Sequence, residues 1–304
     1  MEQYDDKHQQ HELVYGIGKD DINKRVTLAF RGTDVKFAAQ TNWTTNLTAL
    51  KKTVDIPDEI KGKVEGSDKI SFHAGFHDFV FDLTFDDSDD KDKKKYDEIL
   101  EDVKHVLGKY PDYKLYVTGH SLGGALSTVA AFYLSCDPDI PKPVSCINFA
   151  APRVGDWDFF QATQALEEMG KARFLQVFAD GDLVSTLPSI GYYHVGFQLK
   201  LYKSVKSKPN FLYPNKNSSW SEGVLRAWSN SVFSNFNFSY DHGDHLARLE
   251  KDKAVLEKIN LNDSYADFEL TGLTPKRYGQ DSDSTKERSL NSEPTTGLCC
   301  GGSS

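Results

Sequence analysis

The pentapeptide Gly119-His120-Ser121-Leu122-Gly123 constrains this chain more than any other stretch. It follows the short apolar run Leu115-Tyr116-Val117-Thr118 and precedes Ala125 to Leu134, which is rich in small residues. That order reads as strand, sharp turn, helix. Glycines on both sides of the serine leave room for the tight turn and for a helix packed close behind it. A serine raised on such a turn stands at the carboxyl edge of a sheet, beside a helix N-terminus that favours developing negative charge. The pattern therefore marks Ser121 as a candidate nucleophile.

The rest of the chain supports a sheet that could carry this turn. Leu13–Ile17 and Arg25–Phe30 read as strands, with Gly18–Asp21 as the turn between them. Val144–Phe149 and Phe174–Phe178 read as buried strands, and Val195–Tyr202 as a late edge strand. Helical spacing puts Ile99, Val103 and Leu107 on one face, and 157 to 169 reads as another helix. Alternating strands and helices predict an α/β fold: a mostly parallel central β-sheet with helices on both faces. The domain is expected over residues 1–270, with a polar, disordered tail at 271–304. Residues 86 to 95 form a charge run that reads as a solvated loop.

Composition excludes some function classes. A formal net charge of -9 argues against a general nucleic-acid binder, which needs basic surface to neutralise phosphates. No apolar run reaches the roughly eighteen residues of a spanning helix. The start, Met1 to Asp6, is polar and shows no signal peptide. As written the chain is expected in the cytoplasm or at a lipid surface, and secreted if its native N-terminus lies upstream. The triplets at Asn42, Asn46, Asn217, Asn237 and Asn262 lean weakly toward secretion. Four cysteines do not make a disulfide framework; Cys136 and Cys146 are either free or bridged, and Cys299 and Cys300 sit in the tail.

A serine nucleophile needs a base and an acid, which follow it in the order acid, then histidine, in folds that carry this turn. Only His194, His242 and His245 follow Ser121. Asp180 and Asp182 follow the strand ending at Phe178. They are two residues apart, so extended backbone would point both the same way and position does not separate them.

Six segments together resemble the class 3 (fungal-type) lipases of the α/β-hydrolase superfamily. They are Leu28–Thr33, His73–Phe76, Val117–Ala125, Ala151–Gly155, Asp182–Pro188 and Asp244–Leu246, in the family's order across roughly residues 12 to 250. The resemblance implies Ser121, Asp182 and His245 as the catalytic triad. It also implies the backbone N–H groups of Thr33 and Leu122 as the oxyanion hole. It implies a lid over the site at 35–48, with Phe37, Trp43 and Leu47 as its apolar, substrate-facing residues. His194 matches a position outside the triad. A triad histidine explains Asp241–His245 without a metal, and neither metal nor organic cofactor is expected. The implied activity is carboxylic ester hydrolysis, foremost of acylglycerols, with a phospholipase or galactolipase as the alternative. A catalytically silent binding protein of the same fold is the alternative of another class. The implied partner is a lipid ester, with transient contact at a lipid interface. Two features depart from the family: Ser185 stands where proline is common, and the helices that usually precede the first strand are absent.

Overall fold

A computed structural model describes residues 2–4, 14–32, 50–81, 94–213, 242–257 and 276–277. In chain order the elements are β1 (Gln3–Tyr4), β2 (Tyr15–Asp20), β3 (Arg25–Phe30), β4 (Lys51–Asp55), β5 (Lys69–His73) and α1 (Ala74–Phe81). Next come α2 (Lys95–Lys109), β6 (Lys114–His120), α3 (Leu122–Cys136), β7 (Val144–Phe149), α4 (Trp157–Glu168) and β8 (Ala172–Ala179). The remainder are β9 (Phe197–Leu201), β10 (Asn210–Tyr213), α5 (His245–Leu256) and β11 (Lys276–Arg277).

The main sheet runs β1-β2-β3-β6-β7-β8-β9-β10-β11, and β4 and β5 pair separately. Strands β3, β6, β7, β8 and β9 are all parallel to their neighbours in that series. Their carboxyl ends therefore share one edge. This is the mostly parallel, helix-flanked sheet that the alternation of strands and helices predicts.

Side-chain alternation puts the two cores on opposite faces. Val144 and Cys146 of β7 join a large cluster with Val129 of α3, Ile99 and Val103 of α2, and Phe159 of α4. The alternate residues Ile147 and Phe149 pack in a second cluster with Leu175, Val177 and Leu199, against Leu249 and Leu256 of α5. Helix α3 owes its central place to small residues. Ala125, Ala130 and Ala131 are fully covered, which lets the helix lie close on the sheet. Its Ser127 and Thr128 hydroxyls meet the Asn148 side chain of β7, so the interface is held by side-chain hydrogen bonds as well as by apolar contact.

Some expectations shift in detail. Strand β2 continues to Asp20 and the turn falls at Asp21–Lys24, where the Asp20 carboxylate accepts the amides of Ile22 and Asn23. Strand β9 is interior, bonded to β8 and β10, and not an edge. Helix α1 and the β4–β5 pair are additions. Cys136 and Cys146 are both free, and burial pushes each thiol up to about 12. The expected lid region with Phe37, Trp43 and Leu47, the expected oxyanion donor Thr33, most of the charge run, and the tail apart from 276–277 lie outside the described residues.

Candidate active site

Ser121 sits where β6 gives way to α3, with φ 57° and ψ −124°. Such a conformation costs a non-glycine residue about 1–3 kcal/mol and persists only when the surroundings impose it. They do so here through backbone. The Ser121 N–H donates to Phe149 O at 2.9 Å, and the Ser121 carbonyl accepts from Gly124 N at 3.0 Å. A Cβ on Gly119 would collide with the backbone of Gly123, and one on Gly123 with the carbonyls of Phe30 and Arg31. Both glycines are therefore required by close approach of main chain to main chain. Leu122 opens α3, so its N–H belongs to the first turn, whose amides have no intrahelical acceptor. Gly32, one residue before Thr33, lies so near the elbow that an added Cβ would stand 2.6 Å from His120 O.

The acid loop leaves β8 at the same edge. Asp182 is buried and Asp180 exposed, although their spacing suggested a common direction. Gly181 has φ +95°, so the backbone is not extended there and the two carboxylates diverge. Asp180 pairs with Lys200 at 2.7 Å. Asp182 Oδ1 accepts the Val184 N–H at 3.0 Å and faces His242 Nδ1 at 3.1 Å. Asp182 Oδ2 is buried without a hydrogen-bond partner among the described residues.

The structure thus differs from the expectation at one contact: the histidine bonded to the acid is His242, and not His245. The two lie three residues apart, in the turn that enters α5, and that turn lies across the acid loop. His242 directs Nδ1–H at a carboxylate, which leaves Nε2 as the basic nitrogen. His242 is held in turn by His120, whose Nε2–H donates to the His242 carbonyl at 2.9 Å. His245 is 5% exposed, and among the described residues neither of its ring nitrogens has a hydrogen-bond partner. Burial pushes its pKa down to about 4, against an opposing pull from the Asp182 charge. His245 is therefore neutral at pH 7 and near enough to feel Asp182.

The third candidate, His194, is occupied elsewhere. Its Nε2 donates to Ser185 O at 2.6 Å and its ring stacks on Phe178. Burial pushes its pKa down to about 3. It braces the turn Val184–Thr186 that follows the acid. Sequence reasoning missed Arg248, which ties α5 to this loop. Its Nη1 donates to Asp180 O at 3.0 Å and to Leu201 O at 3.2 Å. A cation three residues past a candidate base is a signal the sequence does contain, whereas its burial is not.

The arrangement offers a strained serine, a helix-start amide and a buried carboxylate at one sheet edge, with two imidazoles on the turn that crosses the acid loop. That set can carry out nucleophilic acyl transfer. Comparison with known proteins agrees. The sequence model described as Lipase (class 3) matches residues 27–192, which include Ser121 and Asp182 but stop before His242 and His245. Phospholipase A1-IIgamma of Arabidopsis thaliana is 32% identical over 142 residues, 43% of this chain and 33% of the relative. Secreted mono- and diacylglycerol lipase 1 of Fusarium solani is 31% identical over 185 residues, 59% of this chain and 44% of the relative. The chain thus spans between a third and a half of the length of these relatives. The triacylglyceride lipase structure of Rhizomucor miehei aligns over 76% of this chain and 74% of that one, with TM-score 0.52 and 22% identity. That likeness shows the fold.

Proposed function

This chain belongs to the class 3 lipase family, and from that premise we propose that it is a serine-dependent carboxylic ester hydrolase acting on glycerolipids through a Ser121–Asp182–His245 triad. The observation that carries the reading is the strained Ser121 at the β6–α3 turn, on the edge that also presents Asp182.

His245 takes the Ser121 proton as the hydroxyl oxygen attacks the ester carbonyl. Asp182 fixes the imidazole tautomer and stabilises the imidazolium. The Leu122 N–H and its counterpart at Thr33 receive the oxyanion, assisted by the N-terminus of α3. The tetrahedral intermediate expels the alcohol, which leaves with the proton from His245. Water, deprotonated by the same histidine, then attacks the acyl-enzyme; the second intermediate collapses to the fatty acid, and His245 returns the proton to Ser121 Oγ.

Two observations favour His245 as base. It lies within the Asp244-His245-Leu246 segment that resembles the family. Its two unpartnered nitrogens also match the unpartnered Asp182 Oδ2, and each buried polar atom left open costs about 1–3 kcal/mol. A carboxylate has acceptor sites for two rings: His242 occupies Oδ1, and Oδ2 stays open to a second donor. The 3.1 Å contact favours a second reading, in which His242 is the base. His242→Asn and His245→Asn separate them: the base variant loses about 10³-fold or more in kcat, the other far less. If both folded variants keep full activity, the triad reading fails.

For the substrate, acylglycerols come first and phospholipids second, the latter favoured by the phospholipase A1 relatives. A panel of mono-, di- and triacylglycerol against phosphatidylcholine, presented as emulsions and as monomers, decides between them. A higher rate on emulsions would support contact with a lipid interface and a lid at 35–48 containing Phe37, Trp43 and Leu47.

A further inference from the structure

The acid and the base enter the site on different parts of the fold. Asp182 comes on the loop after β8, and His245 on the first turn of α5. A triad works only when these two stand in hydrogen-bonding register. A displacement of about 1 Å can cost about 10²-fold in rate. Something must set that register, and the apolar contacts of α5 through Leu249 and Leu256 lie farther along the helix.

Arg248 follows His245 by three residues, so the two side chains share a face of α5. It is 3% exposed. Its Nη1 reaches the Asp180 carbonyl, in the loop that ends in Asp182, and the Leu201 carbonyl at the end of β9. Its Nε donates to the Asp244 carboxylate at 3.3 Å, between the two histidines. One guanidinium therefore touches the acid loop, the adjoining strand and the histidine turn. A planar fork can hold several acceptors at fixed angles, whereas a lysine ammonium is a point charge on a flexible stem. Lys251, a turn farther on, supplies the contrast. It donates to the Tyr202 and Ser204 carbonyls at 2.6 and 3.0 Å, beyond β9 and away from the acid loop.

We propose that Arg248 is a positioning residue that fixes the register between Asp182 and the catalytic histidine. The proposal rests on the hydrolase reading above. The charged and titratable groups around His245 are Asp182 from the acid loop, His120 from the elbow, and His242, Asp244 and Arg248 from its own segment. Arg248 depresses the His245 pKa, so removing its charge raises it.

The test compares the full chain with Arg248→Met, Arg248→Lys and Lys251→Met. It measures kcat and KM on p-nitrophenyl butyrate, the pH profile of kcat/KM, thermal melting, and labelling of Ser121 by a serine-directed phosphonate. Arg248→Met should lose about 30- to 100-fold in kcat with KM within about threefold. Its acidic limb should move to higher pH. Arg248→Lys keeps the charge but loses the fork. It should fold, keep the acidic limb and recover part of kcat, so it carries the test if Arg248→Met does not fold. Lys251→Met should melt earlier and keep kcat within about twofold. Unchanged kcat in folded Arg248 variants overturns the proposal. So does an equal loss of kcat in Lys251→Met, which would mean that both residues merely hold the helix. A wild-type chain that neither hydrolyses the ester nor takes the phosphonate overturns the hydrolase reading itself, before any variant is made.

Discussion

The elbow around Ser121 and the turn carrying His242 and His245 serve one site but are built differently. The elbow is made by backbone. Ser121 is bonded through its own N–H and carbonyl, and Gly119 and Gly123 are pressed against main chain. It lies between central strands β3 and β7. The histidine turn is held mainly by side chains: His242 to Asp182, His120 to His242, and Arg248 to the Asp180 and Leu201 carbonyls. Main-chain geometry tolerates little substitution. Side-chain latches can be altered one at a time, and each alteration moves the base without unmaking the nucleophile.

The largest effect on catalysis short of removing the serine should come from the acid that joins the two regions. Asp182→Asn should lower kcat by about 10³- to 10⁴-fold, because the histidine loses its tautomer control. Asp180→Asn, which weakens the Lys200 pair, should stay within about threefold. Ester assays on both variants, with folding checked by circular dichroism, measure the contrast. A larger loss from Asp180→Asn would reverse the acid assignment.

Gly123→Ala should be the next largest. Its methyl meets the Phe30 and Arg31 backbone, which cannot swing aside, so about 2 kcal/mol or more of stability should be lost along with activity. Chemical denaturation measures the loss. His120→Phe keeps a ring but removes the bond to the His242 carbonyl. It should lower kcat by about tenfold with little change in melting temperature, if the histidine turn is latched as described. A large loss of stability with unchanged kcat would place His120 in the elbow's architecture instead.

A separate effect, outside catalysis, is on the pH dependence of stability. His194 and His245 are both neutral in the fold, with pKa pushed down to about 3 and about 4, whereas an unfolded histidine titrates near 6.5. Below about pH 6.5 the unfolded chain binds protons that the folded one refuses, so stability falls as pH drops toward 4. It is fully present above about 6.5. His194→Gln should flatten that slope, measured as melting temperature between pH 4 and 7.

Much of this was legible in the sequence because it is written in spacing. The Gly-x-Ser-x-Gly turn, the apolar strands around it and the small-residue helix after it all appear where the sequence places them. Asp182 was separable from Asp180 only by resemblance, since the divergence comes from the φ of Gly181, a backbone torsion that composition does not reveal. The His242–Asp182 contact was not legible either. It depends on how the turn before α5 crosses the acid loop, a tertiary matter between residues 60 positions apart. Arg248 is visible as a cation but not as a clamp until β8, β9 and α5 are brought together. The interior place of β9 was missed because an apolar strand reads alike at an edge and inside a sheet.

The central claim is that Ser121 is the nucleophile of an ester hydrolase, and one comparison tests it most directly. Purified wild type and Ser121→Ala, matched for fold by circular dichroism, are assayed on p-nitrophenyl butyrate. The account predicts turnover by wild type and a loss of at least about 10³-fold in Ser121→Ala. Equal hydrolysis by the two folded proteins would contradict it.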